Sequence, residues 1–254
     1  MNLPRLLIAV LASVALGGPV LADDSGTATP PSQSWSFTGL FGGVDRAAAQ
    51  RGFQVYAQSC SNCHSMNYLH YRDLTGIGLT PSQIETFAAG VTVPSGFDNQ
   101  GNVVTKPATA ASQFRAPFAN EDAARDAMNG ALPPDLSLIV STFANGPNYI
   151  YALLTGYGDP PSDFKLGDGM SYNKYFPGHQ IAMPPPLNEG QIAYSDGTAS
   201  TVAQNAHDVV TFLAWAAHPE MVQRKRIGFG VVLYFLGMAG VTYALKRAIW
   251  AGID

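Results

Sequence analysis

The chain has 254 residues, 46% of them hydrophobic, with 18 acidic against 14 basic side chains and only 2 cysteines. The length admits one large domain or two smaller ones with a sizeable core, and the acidic balance argues against nucleic acid as a partner.

At the N-terminus, "MNLPRLLIAVLASVALGGPVLADD" has one basic residue, Arg5, an apolar run over residues 6–16, and small residues at Val20 and Ala22. That run is too short to span a bilayer, so residues 1–22 read as a cleaved signal peptide rather than a core helix. The first helix of the exported part covers residues 44–59, with Ala48, Phe53, Val55 and Tyr56 near one face. It leads directly into "SCSNCHSM", which holds both cysteines, Cys60 and Cys63, followed at once by His64.

A second helix begins at Thr80, where Pro81 and Gln83 complete a start signal and Gly90 a stop. A third follows Asn120, whose cap is reinforced by Glu121 and Asp122 at the positive end of the helix dipole. Residues 148–155 read as a fourth. The fifth, "STVAQNAHDVVTFLAWAAHPE", places Val202, Ala206, Val209, Val210, Leu213 and Ala217 on one face. Residues 91–109, 156–168 and 172–195 read as long loops, and no convincing alternating strand is visible. The exported part is therefore expected to be mainly α and loop-rich, and a large apolar cofactor would hold its loops.

Residues 227–245 contain 19 residues without a charge. As a helix they cover about 28 Å, close to the hydrocarbon thickness of a bilayer, and basic residues bracket them. They read as a membrane anchor rather than a buried soluble helix. Basic residues on both sides leave the charge rule nearly silent on orientation. The signal peptide decides it, placing residues 23–223 outside, the anchor over residues 224–248, and a short cytoplasmic tail over residues 249–254. Counted alone, residues 23–223 carry 17 acidic and 8 basic side chains, a net charge of −9. Such a surface either steers a basic partner or simply aids solubility.

Two cysteines in an exported protein would by default form a disulfide. The C-x-x-C spacing also fits a thiol–disulfide redox pair, but no βαβ pattern accompanies it, and zinc lacks a second ligand pair. C-x-x-C-H is also the attachment sequence of haem c. Two thiols on one turn reach both vinyl groups of one porphyrin, and His64 then lies under the iron. Of the distant side chains that could supply a sixth ligand, Met183 leads, because three prolines stiffen its loop; Met170 and His179 follow. A His/Met pair raises the potential and fills the coordination sphere, which suits moving single electrons.

The segments "CSNCHSMNYLHYRDL", "NGALPPDLSLIV", "YIYALLTGY", "YFPGHQIAMPPPL", "YSDGTAST" and "VVTFLAWAAHPE", taken with the C-terminal anchor, resemble the cytochrome c1 family, in an α-proteobacterial style. The resemblance implies a loop-rich c-type cytochrome domain with a single C-terminal transmembrane helix and one covalent haem c. It implies thioether bonds at Cys60 and Cys63, His64 as proximal ligand and Met183 as sixth ligand. Residues 132–136 would pack against the haem, and Tyr149 would sit near a propionate. It further implies an electron-transfer subunit, not an enzyme on its own, of the quinol–cytochrome c reductase (bc1) complex in the inner (plasma) membrane, with its haem domain in the periplasm. The partners would be cytochrome b, a Rieske iron–sulfur protein and a soluble, usually basic, cytochrome c. One departure stands out: no basic residue occurs between Asp135 and Lys165, where the family resemblance leads one to expect a propionate partner, leaving Arg115 or Arg125 as substitutes. The rival readings are an anchored c-type cytochrome of a dehydrogenase or terminal oxidase, and an exported thiol–disulfide protein without haem.

Overall fold

Helix α1 (Arg46–Gln58) starts where the Asp45 carboxylate accepts hydrogen bonds from the backbone N–H groups of Ala47 and Ala48. This belongs to a computed structural model that describes residues 28–252, so the expected signal segment lies outside the described residues. α1 runs into a 3₁₀ turn at Cys60–Asn62, and a second 3₁₀ stretch covers Tyr71–Ile77. Helix α2 (Pro81–Ala89) has the expected reciprocal cap between Thr80 and Gln83, and α3 (Glu121–Ala127) is capped by Asn120. A short α4 (Ile139–Thr142) precedes α5 (Gly146–Thr155), which starts two residues earlier than the sequence indicates because Pro147 fits the first turn. Helix α6 (Val202–Ala217) is capped by Thr201, and α7 (Met221–Trp250) follows it after three residues. The fold is mainly α, as expected.

The region read as a loop over residues 91–109 is instead a β-hairpin, β1 (Thr92–Phe97) paired antiparallel with β2 (Val103–Pro107). It escaped notice because both strands are nearly all exposed, so no apolar alternation marks them, and Pro94 and Gly96 interrupt β1 at a bulge. Asp98 closes the turn, accepting from the N–H groups of Gln100 and Asn102. A two-residue ladder, β3 (Ser171–Tyr172) with β4 (Gln180–Ile181), similarly punctuates the segment before Met183.

The core forms where α1 crosses α6. Gly52 makes the close approach possible, since a Cβ there would run into the Asp208 carbonyl. Phe53, Tyr56, Phe114 and Phe212 surround this crossing with ring centroids 5.6–6.0 Å apart. Helix α6 is less amphipathic than its pattern indicates, because Asn205, Asp208 and Thr211 are buried along with its apolar residues. Each has a partner: Asn205 accepts from the Tyr194 hydroxyl at 2.7 Å, and Thr211 donates to the His207 carbonyl at 2.9 Å. Asp208 takes a two-pronged contact from Arg51 of α1, at 2.7 and 3.0 Å.

Helix α7 differs from all of these. Among the described residues it is the one helix long and apolar enough to cross a membrane, and none of its apolar window is buried. Met221, at its start, is its only buried residue. A helix of 30 residues extends about 45 Å, longer than the roughly 30 Å hydrocarbon thickness of a bilayer.

Candidate functional site

Cys60, Cys63 and His64 share a single tight turn at the end of α1. The Cys60 carbonyl accepts from both the Cys63 and His64 N–H groups, at 3.1 and 2.9 Å. Both thiols are free rather than bonded to each other. Burial pushes the Cys60 thiol up to about 12, with a smaller contribution from Cys63. A reactive redox cysteine needs the opposite shift, toward the thiolate, so this environment counts against the thiol–disulfide reading.

The His64 ring lies with Nδ1 2.8 Å from the Pro134 carbonyl oxygen. A carbonyl only accepts, so Nδ1 carries the proton and Nε2 keeps its lone pair. Burial lowers the His64 pKa, outweighing the opposing effects of the Pro134 bond and Asp135, and keeps the ring neutral. Metal-binding histidines use this arrangement, in which the second ring nitrogen is oriented by a hydrogen bond.

Segment 134–137 is laced to segment 64–68 by more than this one bond. Leu136 N–H donates to the Ser65 carbonyl at 2.9 Å. Asp135 accepts from Ser65 Oγ at 2.8 Å and from Asn67 N–H at 2.7 Å, while its other oxygen takes Ser137 N–H at 2.8 Å. Ser137 Oγ in turn accepts from Tyr68 N–H at 3.2 Å. Burial alone would raise the Asp135 pKa, but the hydrogen bonds from Ser137, Asn67 and Ser65 outweigh it and hold the carboxyl below its usual range. From behind, the Tyr56 hydroxyl donates to the His64 carbonyl at 3.3 Å.

Met183 is half-buried and follows β4 immediately before the three prolines. The Tyr157 hydroxyl donates to its carbonyl at 3.1 Å. Beyond the prolines, Leu187 is buried in the core and Gln191 donates to Ser59 Oγ at 2.7 Å, one residue before Cys60. The methionine loop is thus tied down on either side, and its far side touches the cysteine turn.

Other histidines and methionines of the head that could be considered as ligands lie as follows. His207 stacks on Trp35 with centroids 4.7 Å apart, and His218 Nε2 is 2.9 Å from Ser141 Oγ. His179 Nδ1 is 3.2 Å from the Lys174 carbonyl and its ring stacks on Tyr172. Met66 is fully buried in the core, and Met170 is half-buried in a turn closed on Gly167. Of the two substitute arginines, Arg125 donates to the Gly130 carbonyl at 3.2 Å, and Arg115 is exposed.

Comparison with known proteins gives a match over residues 35–253 to the family described as the cytochrome C1 family. The chain belongs to the cytochrome c1 family. It is 41% identical to cytochrome c1 of Rhodospirillum rubrum, covering 98% of this chain and 97% of that one. It is 45% identical to the mitochondrial heme protein cytochrome c1 1 of Arabidopsis thaliana, over 87% of this chain and 72% of the relative. A protein of Bradyrhizobium diazoefficiens called cytochrome b/c1 is 40% identical over 96% of this chain, which spans 39% of that longer protein. These bacterial relatives agree with the α-proteobacterial style read from the sequence.

The chemistry of the expected donor residues fits the group this family implies: two thiols on one turn, a neutral imidazole with Nε2 free, and a thioether in a tethered loop. What the sequence reading missed is the support around these donors. Asp135 sits two residues before Ser137, a local turn signal. Its reach across to Ser65 and Asn67 has no local signal.

Proposed function

We propose that this chain would hold one haem c through thioether bonds at Cys60 and Cys63, with His64 Nε2 and Met183 Sδ as the side-chain ligands to its iron. The haem would supply a reversible one-electron couple, and the chain's own residues would attach, orient and shield it. The observation that carries the reading is the His64 Nδ1–Pro134 contact, because it leaves Nε2 as the one ring nitrogen free to ligate. Pro134 fixes the ring's tautomer, Asp135 holds Pro134 and its neighbours against the cysteine turn, and Tyr157 steadies the Met183 backbone.

In this reading the chain passes single electrons from a Rieske iron–sulfur protein to a soluble cytochrome c, within a bc1 complex that includes cytochrome b. It performs no complete reaction alone. The net charge of −9 over residues 23–223 suits a basic acceptor. Residues 1–22 would be removed on export, residues 23–223 would form the periplasmic haem domain, residues 224–248 the anchor in the inner membrane, and residues 249–254 a cytoplasmic tail.

Covalent attachment is tested by staining a denaturing gel for haem, which retains only covalently held groups. The chain should stain, and Cys60→Ala/Cys63→Ala should abolish the stain. A colourless wild-type band would sink the assignment. The Met183 assignment predicts that Met183→Ala loses the methionine–iron absorption band at the red end of the visible spectrum and lowers the reduction potential. An unchanged band and potential would return the role to Met170. Mild-detergent purification should bring down a b-type cytochrome and an iron–sulfur protein with the chain.

A further inference from the structure

The stretch "FTGLFGG", residues 37–43, folds as two tight turns just before α1, with Thr38 N–H donating to the Trp35 carbonyl and Gly42 N–H to the Gly39 carbonyl. Glycine is required twice here: Gly39 has φ +75°, and a Cβ on Gly42 would strike the Thr38 carbonyl. The loop is clamped to α7 by Lys225, whose Nζ donates to the carbonyls of Phe37, Gly39 and Gly42 at 2.7, 2.7 and 3.0 Å. An ammonium has three protons, and this one places all three on the loop backbone.

With its base held in this way, the loop presents two apolar side chains outward: Leu40 is 56% exposed and Phe41 83%. The Phe41 ring packs edge-on against Phe229 of α7, with centroids 5.8 Å apart. Phe229 is the third residue of the uncharged run 227–245, and Arg224, Lys225 and Arg226 lie within one turn before that run. The tip therefore sits at the depth where the apolar span begins, under a collar of cations at the level of lipid phosphates.

We propose that residues 38–43 form a second membrane contact, an interfacial loop that sinks Leu40 and Phe41 into lipid beside α7, with Lys225 setting its depth. This rests on α7 spanning the bilayer. Lipid fits better than a protein partner, because a stable protein interface buries about 800 Å² on each side, far more than two side chains offer. Interfacial insertion needs only a few apolar groups below basic ones. With two points of contact, the head could no longer rotate freely about the axis of α7.

The test places a nitroxide label at Leu40→Cys or Phe41→Cys in the full chain, reconstituted in nanodiscs of phosphatidylcholine and phosphatidylglycerol, and compares collision with oxygen and with a water-soluble nickel complex. Leu236→Cys, at the middle of the uncharged run of α7, and Val231→Cys, near its start, serve as lipid references, and Phe97→Cys on the exposed hairpin as the water reference. The unsubstituted chain is the blank, where failed haem attachment would show separately as labelling of Cys60 and Cys63. The expected oxygen-to-nickel ratio at positions 40 and 41 is several-fold above that at 97 and close to that at 231. Lys225→Met should shift the ratio at 41 toward the aqueous value. A ratio matching position 97 overturns the proposal, as does protection from both colliders, which would mean a protein covers the loop. An aqueous reading at 236 removes the spanning helix on which it rests.

Discussion

Asp135 concentrates more of the His64 environment than any other side chain, since it receives three hydrogen bonds from both segments that meet there. Asp135→Ala should cost about 1.5–3 kcal/mol, the range for hydrogen bonds to a charged group, with partial exposure favouring the lower end. Urea denaturation of the two proteins at neutral pH measures it. The pH dependence has a definite sign. The carboxyl is held below its ordinary value in the folded chain, so its contribution is complete above the unfolded pKa of about 3.9 and is lost as pH falls through the folded one. The gap between wild type and Asp135→Ala should therefore close on acidification below about pH 4. A gap that stayed constant with pH would mean that charge is not what matters there. At this scale the grouping of Cys60, Cys63 and His64 on one turn was legible because the three are near neighbours in the sequence. Asp135 was not, because its partners lie 68 and 70 residues away.

The α1–α6 pair is the element on which the core depends, and it contains two features that single residues can break. Gly52→Ala places a methyl group against the Asp208 carbonyl, which must push the helices apart. Overpacking of this kind should cost about 1–3 kcal/mol, read as a lower urea midpoint. Arg51 is the partner of Asp208, which is fully buried, and it also reaches Asp196 at 2.9 Å. Arg51→Met leaves that carboxylate unpaired and should cost about 3–5 kcal/mol, whereas Arg51→Met/Asp208→Leu should recover most of the loss. If the double variant were no better than the single, the ion pair would not be the source of the effect. The caps at Thr80 and Asn120 were readable because capping is local. The buried face of α6 was only half readable, because the pattern of apolar residues cannot reveal that Asn205 and Asp208 find partners outside the helix and that Thr211 finds one on the helix's own backbone. The β1–β2 hairpin was missed for the converse reason: it buries so little that no periodicity records it.

For the whole molecule, the division between head and anchor has a direct consequence. Helix α7 beyond Met221 is not buried in the head, so ending the chain after Arg226 should release a folded, haem-stained domain into the soluble fraction, with Lys225 still holding the 37–42 segment. The residual affinity of Leu40 and Phe41 for lipid should leave only weak, reversible membrane binding. Fractionation after a salt wash checks this, and a truncated chain that stayed in the membrane would point to another anchor. The net charge of −9 over residues 23–223 predicts that association with a basic cytochrome c slows steeply as ionic strength rises, which stopped-flow mixing measures. The sequence by itself determined the C-x-x-C-H motif, the long apolar run, the acidic balance and the family, since each is written in neighbouring residues, in an unbroken run or in bulk composition. Only the tertiary structure decided which nitrogen of His64 stays free, which residues brace it, and how the segment before α1 meets the membrane helix. Those outcomes depend on backbone carbonyls of Pro134, Phe37, Gly39 and Gly42, and a carbonyl is common to every residue, so nothing in the identity of an amino acid announces where it will point.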